Sequence, residues 1–314
     1  MRQFIGIDIG GTTIKGAVVT GDGRMRSRIE RDTSPELGAD RVIDSIAGLV
    51  RDLAQGAGLS LTEFAGLGFG VPAFLDAETG YVETAVNLGW HNVPLLGELQ
   101  QRLGQLPMRI DNDANVAALG EARAGGGLGA RDVLCVTLGT GVGGGVIIDG
   151  KIVRGASGMG GEIGHVTLEP DGRCCNCGRR GCLETISSAT GIVAAVNARL
   201  AAGHPSSLRQ EAALSTRVIF DHAAKGDEVA SAVIAYAIDR LGLALANVGT
   251  TLNPQVIVIG GGVSQAGEAL LLPLREAFAN YALPRVVRGT KIELATLGND
   301  AGVVGAALLF MEGH

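Results

Sequence analysis

The chain has 314 residues, a net charge of −6, 46% hydrophobic residues and 18% charged ones, a balance that excludes intrinsic disorder as its main state. It has no basic excess and no Lys/Arg run to displace counterions from phosphates, which argues against a nucleic-acid partner. Length favours two domains, and glycine, at 50 of 314 residues without a collagen-like period, marks many tight turns and close backbone approaches.

From the N-terminus, Phe4 to Asp22 alternates apolar runs with a Gly/Thr turn and reads as a β-hairpin. The apolar stretch before Asp8 is too short for a signal-peptide core. Val42, Ile43, Ile46, Leu49, Val50 and Leu53 make a helical stripe over Arg41–Gln55. Phe64–Val71 is a strand candidate, Pro72–Trp90 is expected to be loop-rich, Met108–Ile110 a short strand and Ala114–Ala124 a helix. Val133–Gly150 repeats the plan of the first hairpin at an offset of 129, pairing Gly10 with Gly139, Gly16 with Gly145 and Gly21 with Gly150. So long an offset suggests two similar domains rather than a solenoid. After Gly191 the chain turns mainly helical. Ala232–Val248 is broken by Asp239 and Arg240 and reads as a buried helix, not a membrane span. Val256–Ile259 and Lys291–Ala295 are strands, and a helix from about Ala301 closes the chain. Strands alternating with helices give an α/β class with two halves around a shared cleft. The expected location is cytoplasmic, with no membrane contact.

Four segments carry chemistry. The turn Asp8–Thr13 (DIGGTT) ends a strand with glycines and hydroxyls, and successive backbone N–H groups there can cradle an anion. Asp8 adds a carboxylate for a hydrated Mg2+ or for orienting water. Leu138–Gly145 echoes this turn, as a nucleotide triphosphate held from two sides would require. Neither turn fits a P-loop or a dinucleotide fingerprint. In Ile110–Asn115 (IDNDAN) a strand ends and a helix begins. Asp113 could take a proton from a substrate hydroxyl, with Asn112 bonding beside it, or these residues could simply cap the helix. Finally, His165, Cys175, Cys177 and Cys182 form a Cys3His set suited to tetrahedral Zn2+. All four positions are protein atoms, so the site is structural. Cys174 is then surplus or an alternative ligand, and Cys135, alone in an apolar run, reads as a core residue.

Cys175–Glu184 reads CNCGRRGCLE and resembles the C-x-C-G-x-x-G-C-x-E signature of the ROK family (repressors, open reading frames and sugar kinases). DIGGT, NDAN, LGTGVGGG, GEIGH and the late GGGVS turn follow in the family's order across essentially the whole chain. Asn87-Leu88-Gly89-Trp90 looks like the glucokinase subgroup.

The resemblance implies an actin-like fold of duplicated ribonuclease-H-like domains with an interdomain cleft. Residues 1–116 plus 300–314 would form the smaller domain, and 117–299 the larger one with the zinc-binding insertion. It implies ATP as donor, Mg2+, a hexose acceptor, most simply D-glucose phosphorylated at its 6-hydroxyl, and Asp113 as catalytic base. Asn87, Asn112, Asp113, Glu162, His165 and Glu184 would bind the sugar. Asp8, Gly10, Gly11, Thr12 and Thr13 from the first half, and Gly139, Thr140 and Gly141 from the second, would face the phosphates. Gly260 and Gly261 would lie near the adenosine. His165 would serve both metal and sugar. A homodimer or homotetramer is also implied. Fructose, mannose or an N-acetylhexosamine as substrate, and polyphosphate as donor, are alternatives. A sugar-sensing regulator is another, although DIGGT beginning at Asp8 leaves no room for a preceding helix-turn-helix. A sugar-binding protein without catalysis is the last, and it would need no base at Asp113. One departure is Ala73, where many glucokinase-like members carry glycine after the proline.

Overall fold

The structure, a computed structural model, describes residues 2–313. The chain begins with strands β1 (Gln3–Ile9), β2 (Thr13–Thr20) and β3 (Met25–Asp32), then helix α1 (Ala39–Ala57) and strand β4 (Leu67–Val71). Strands β5 (Phe74–Asp76), β6 (Tyr81–Ala85) and β7 (Trp90–Val93), helix α2 (Leu95–Leu103), strand β8 (Met108–Asn112) and helix α3 (Asp113–Ala124) follow. Next come β9 (Val133–Leu138), β10 (Val142–Ile148), β11 (Lys151–Ile152), α4 (Glu184–Ser187), α5 (Ala189–Ala201), α6 (Thr216–Ala224) and α7 (Glu228–Leu252). The last elements are β12 (Val256–Gly260), α8 (Glu268–Tyr281), α9 (Pro284–Gly289), β13 (Lys291–Leu294) and α10 (Ala301–Leu308).

The two five-stranded sheets have the same topology, β3-β2-β1-β4-β8 and β11-β10-β9-β12-β13. In the first, β1 pairs antiparallel with β2 and parallel with β4, and β4 pairs parallel with β8. In the second, β12 pairs parallel with both β9 and β13, and β11 is antiparallel to β10. The duplication suggested by the Gly10/Gly139 offset is therefore a repeat of strand order and direction. A hairpin supplies the antiparallel edge, and helical crossovers supply the parallel strands. The chain forms two compact units: residues 1–131, 145–161 and 296–314, and residues 132–144 and 162–295.

The first unit is built on an apolar layer. Ile5, Ile7 and Ile9 of β1 and Phe69 of β4 pack with Val42, Ile46, Leu49 and Leu53 from α1, all at most 1% exposed. Much of its glycine excess is explained by α10. An added Cβ at Gly305 would lie 1.6 Å from the Val116 carbonyl oxygen of α3, and one at Gly68 would lie 1.8 Å from that of Ala306. Gly6 and Gly120 face α10 backbone at 2.0 and 2.3 Å in the same sense. The C-terminal helix is seated backbone on backbone.

Two sequence expectations shift. The Phe64–Val71 strand begins at Leu67, because Ser60 and Glu63 cap a short helical turn at Leu61–Glu63. Pro72–Trp90 contains strands β5 and β6 and leads into β7, and these three make a small antiparallel sheet. Its buried positions, Val82, Ala85, Trp90 and Val93, follow an Asp/Glu/Thr/Gly turn and are split by the helical turn Val86–Leu88, which together hide the alternation. In the second unit, α7 is the one described helix long and apolar enough to cross a membrane. It packs on α6 and α8 and buries Val233, Ala237, Leu241 and Leu245, as a core helix does.

Candidate active site

In the first unit, β1 delivers Asp8 and the Gly10–Thr13 turn, and β8 delivers Asn112 and Asp113. Gly10 N–H donates to the Thr13 carbonyl at 2.9 Å, closing the turn. Thr33 ties back two of its carbonyls: Thr33 Oγ1 donates to Gly10 O at 2.6 Å and Thr33 N to Thr12 O at 2.9 Å. Occupying these oxygens removes groups that would repel an anion. Thr12 is exposed. Asn87 presses on the turn, because a Cβ at Gly11 would lie 3.1 Å from Asn87 Cβ.

The Asp8 carboxylate packs against the start of α10, where a Cβ at Gly302 would approach Asp8 Oδ2 to 2.6 Å. Burial pushes its pKa up to about 6; the Lys15 charge opposes this and the Asp113 charge adds to it. Asp113 also lies above the usual carboxylate range because of burial, although the N–H groups of Ala114 and of Asp113 itself favour its ionised form.

The helix cap is Asn112. Its Oδ1 accepts from Ala114 N at 2.9 Å, and its backbone is extended as a capping residue requires. Asp113 is the first helical residue, and its half-buried carboxylate is not the cap. Of the two sequence readings, capping belongs to Asn112, and its Nδ2 donates to Ala73 O at 3.3 Å. Ala73 is absent from the positive-φ residues, so this loop needs no glycine there.

Sequence reasoning missed three residues in this unit. Asp111, 2% exposed, accepts from Asn112 N and Asn115 Nδ2, both at 2.8 Å, and from Arg154 Nε at 2.6 Å. Arg154 also donates to both Glu312 oxygens, at 3.1 and 3.0 Å. Burial lowers the pKa of the Arg154 guanidinium, but Glu312 and Asp111 outweigh it and hold the group above its ordinary value. Asp111, Asn112, Asn115 and Arg154 line a cavity of about 540 Å³ with Ala73 and Phe74. Asp111 was visible inside IDNDAN. Arg154 and Glu312 gave no signal, being isolated charges far along the chain.

In the second unit the echoing turn is tighter, with Gly139 N donating to Gly141 O at 2.9 Å. Its carbonyls are also tied back, Gly139 O by Ala189 N at 2.8 Å and Thr140 O by Thr190 Oγ1 at 2.7 Å. Thr140, like Thr12, is exposed. Gly261, at φ 83°, lies against this turn, where a Cβ would come within 2.5 Å of Leu138 O. Gly260 ends β12 beside it.

Glu184 links this turn to the cysteine cluster. Its Oε2 accepts from Val142 N at 3.1 Å, and its Oε1 lies 3.7 Å from Cys175 Sγ. The ligand atoms of His165, Cys175, Cys177 and Cys182 all lie within 4.8 Å of one another. Cys175 Sγ is 3.7 Å from His165 Nδ1, and Cys177 Sγ is 3.6 Å from Cys182 Sγ. A tetrahedral Zn2+ with thiolates at about 2.3 Å sets its ligand atoms roughly 3.8 Å apart, so the set fits the ion. The thiols differ: the Arg179 backbone N–H pulls Cys177 down to about 6, and burial pushes Cys182 up to about 12. Three packed sulfurs need a cation before all can ionise. The other ring nitrogen, His165 Nε2, lies 3.9 Å from Glu162 Oε2. Cys174 lies outside the set, exposed and bridged to Arg180.

The ROK family model matches residues 4–312. The chain belongs to the ROK family. A glucokinase of Halalkalibacterium halodurans is 43% identical, with 99% of this chain and 96% of that protein aligned. Two solved structures are similar over almost their full lengths. A ROK family glucokinase from Streptomyces griseus in complex with glucose and AMPPNP has a TM-score of 0.75 at 35% identity, covering 97% of this chain and 98% of that one. A ROK hexokinase from Thermus thermophilus has a TM-score of 0.81 at 32% identity, covering 98% and 97%. The paired sheets are thus the duplicated, actin-like fold of these sugar kinases.

Proposed function

We propose that this chain is a glucokinase that transfers the γ-phosphoryl group of ATP to the 6-hydroxyl of D-glucose, with Asp113 as general base. The observation that carries the reading is the division of labour at the start of α3: Asn112 caps the helix, so the Asp113 carboxylate is not spent as the cap. Its raised pKa makes it a stronger base than an exposed aspartate. The sugar oxygen bonds to the γ-phosphorus, the bond from that phosphorus to the ADP oxygen breaks, and the hydroxyl proton passes to Asp113. Such transfer depends on positioning and on charge neutralisation.

Asn87, Asn112, Glu162, His165 and Glu184 bind the sugar. Acceptor-only carboxylates suit a ligand whose polar groups are nearly all O–H donors. The Gly10–Thr13 and Gly139–Gly141 turns take the phosphates, with Gly260 and Gly261 toward the adenosine. Asp8 would hold a hydrated Mg2+, which when bound neutralises phosphate charge. His165, Cys175, Cys177 and Cys182 would hold a structural Zn2+ that fixes the His165 ring with Nε2 directed toward Glu162 and the sugar.

A coupled assay across a hexose panel, with ATP and with polyphosphate, tests this. Glucose with ATP should give the highest kcat/KM. No phosphorylation of any hexose by either donor would exclude the reading, and preference for another hexose or for polyphosphate would redirect it within the family.

A further inference from the structure

We infer that Arg154 is a positioning residue for the catalytic segment, acting through Asp111; this rests on the kinase reading above. Asp111 is the residue before Asn112-Asp113, and its buried carboxylate has one job per lone-pair direction. Oδ1 holds the Asn112 amide and the Asn115 side chain, and Oδ2 takes the Arg154 Nε–H. A carboxylate only 2% exposed keeps its charge cheaply only while a cation touches it. Arg154 is that cation, and it cannot swing away because Glu312 grips its other two nitrogens.

Arg154 has a second attachment. Its carbonyl accepts Gly160 N–H at 2.8 Å, closing the loop 154–160, whose Gly155 to Gly158 line the same cavity as Asn112. The Arg154 guanidinium therefore fixes the strand end that presents Asp113, while the residue's main chain closes the root of the neighbouring loop. Without the guanidinium, the Asp111 carboxylate is buried with no countercharge and is drawn toward the cavity, so its pull on the Asn112 amide slackens, and Asn112 and Asp113 lose their aim. A misplacement of about 1 Å can cost on the order of a hundredfold in rate.

The test compares Arg154→Gln, Arg154→Lys and the double variant Arg154→Gln/Asp111→Asn with the parent. Arg154→Gln should lower kcat for glucose at least about tenfold while leaving KM for ATP within about twofold. Arg154→Lys, which keeps a cation beside Asp111, should recover part of the loss, as should the double variant, which removes the stranded charge. Amide exchange at Asn112 should quicken in Arg154→Gln and return toward the parent in the other two. Turnover of Arg154→Gln within twofold of the parent, or a loss that neither companion variant relieves, would overturn the proposal. If the parent itself phosphorylates no hexose, the kinase reading fails separately. Exchange at Asn112 then decides the point alone: quickened, Arg154 still positions the segment; unchanged, it does not.

Discussion

The Asp8–Asp113 corner of the first unit and the cysteine knuckle of the second reach a fixed geometry by opposite routes. Asp8 stands near the end of the central strand β1 and Asp113 just after the edge strand β8, where the sheet ladder, the Asn112 cap and the Asp111 hydrogen bonds hold them. Between Glu162 and Glu184 there is no strand and no full helix, only a short helical turn and two isolated bridges. That segment gathers four ligand atoms within 4.8 Å of one another, and an ion held by them would supply much of its order. Backbone order survives the loss of an ion, whereas order made by ligands does not.

The sharpest way to break this comparison is at its chemistry. Asp113→Asn should lower kcat by about 10²–10⁴-fold, the usual weight of a general base, because the sheet holds the position whatever the side chain. Calorimetry should still show glucose binding, and turnover like the parent's would remove Asp113 from the role. Next in size is the metal. Metal analysis should find one Zn2+ per chain, and stripping it, or making Cys182→Ser, should weaken glucose binding by on the order of tenfold or more, since His165 loses its orientation. Hydrogen exchange should rise across residues 162–184 and stay unchanged across 108–115. Equal loosening of both segments would end the contrast.

A smaller effect is expected at the backbone contact beneath the corner. Gly305→Ala places a methyl group 1.6 Å from a carbonyl oxygen of α3, and thermal melts should show about 1–3 kcal/mol of lost stability. The smallest concerns Asp8. Its pKa is raised from 3.8 to about 6 in the folded chain, so its contribution to stability is fully present below 3.8 and is lost as pH rises through about 6. Asp8→Asn should therefore stabilise the ligand-free protein at pH 7.5 by about 1 kcal/mol, allowing for partial solvent screening, and have almost no effect at pH 4. Equal urea midpoints for parent and variant at both values would contradict the assigned cause.

What the sequence revealed follows from how local each signal is. Both hairpins were legible because each strand and its Gly/Thr turn lie within about twenty residues, and the offset between them exposed the duplication. The turns themselves are not identical: Gly10 closes on Thr13, but Gly139 closes on Gly141. The knuckle was legible because its ligands are crowded together and chemically distinctive. The β5–β7 sheet was not, since its strands are short and interrupted by polar turns. The Arg154 network was also beyond reach. Its partners are 43 and 158 residues away, and an arginine before a glycine loop resembles any surface charge.

The seat of α10 carries a consequence for anyone evolving this scaffold toward new sugars in the laboratory. Gly6, Gly68, Gly120 and Gly305 meet main-chain atoms, so a library has no side chains there to trade, and variants larger than alanine at those positions should be lost at the folding step. Productive diversity is to be sought instead at Ala73, Phe74, Ala156 and Ser157, where the wall of the large cavity is made of replaceable side chains.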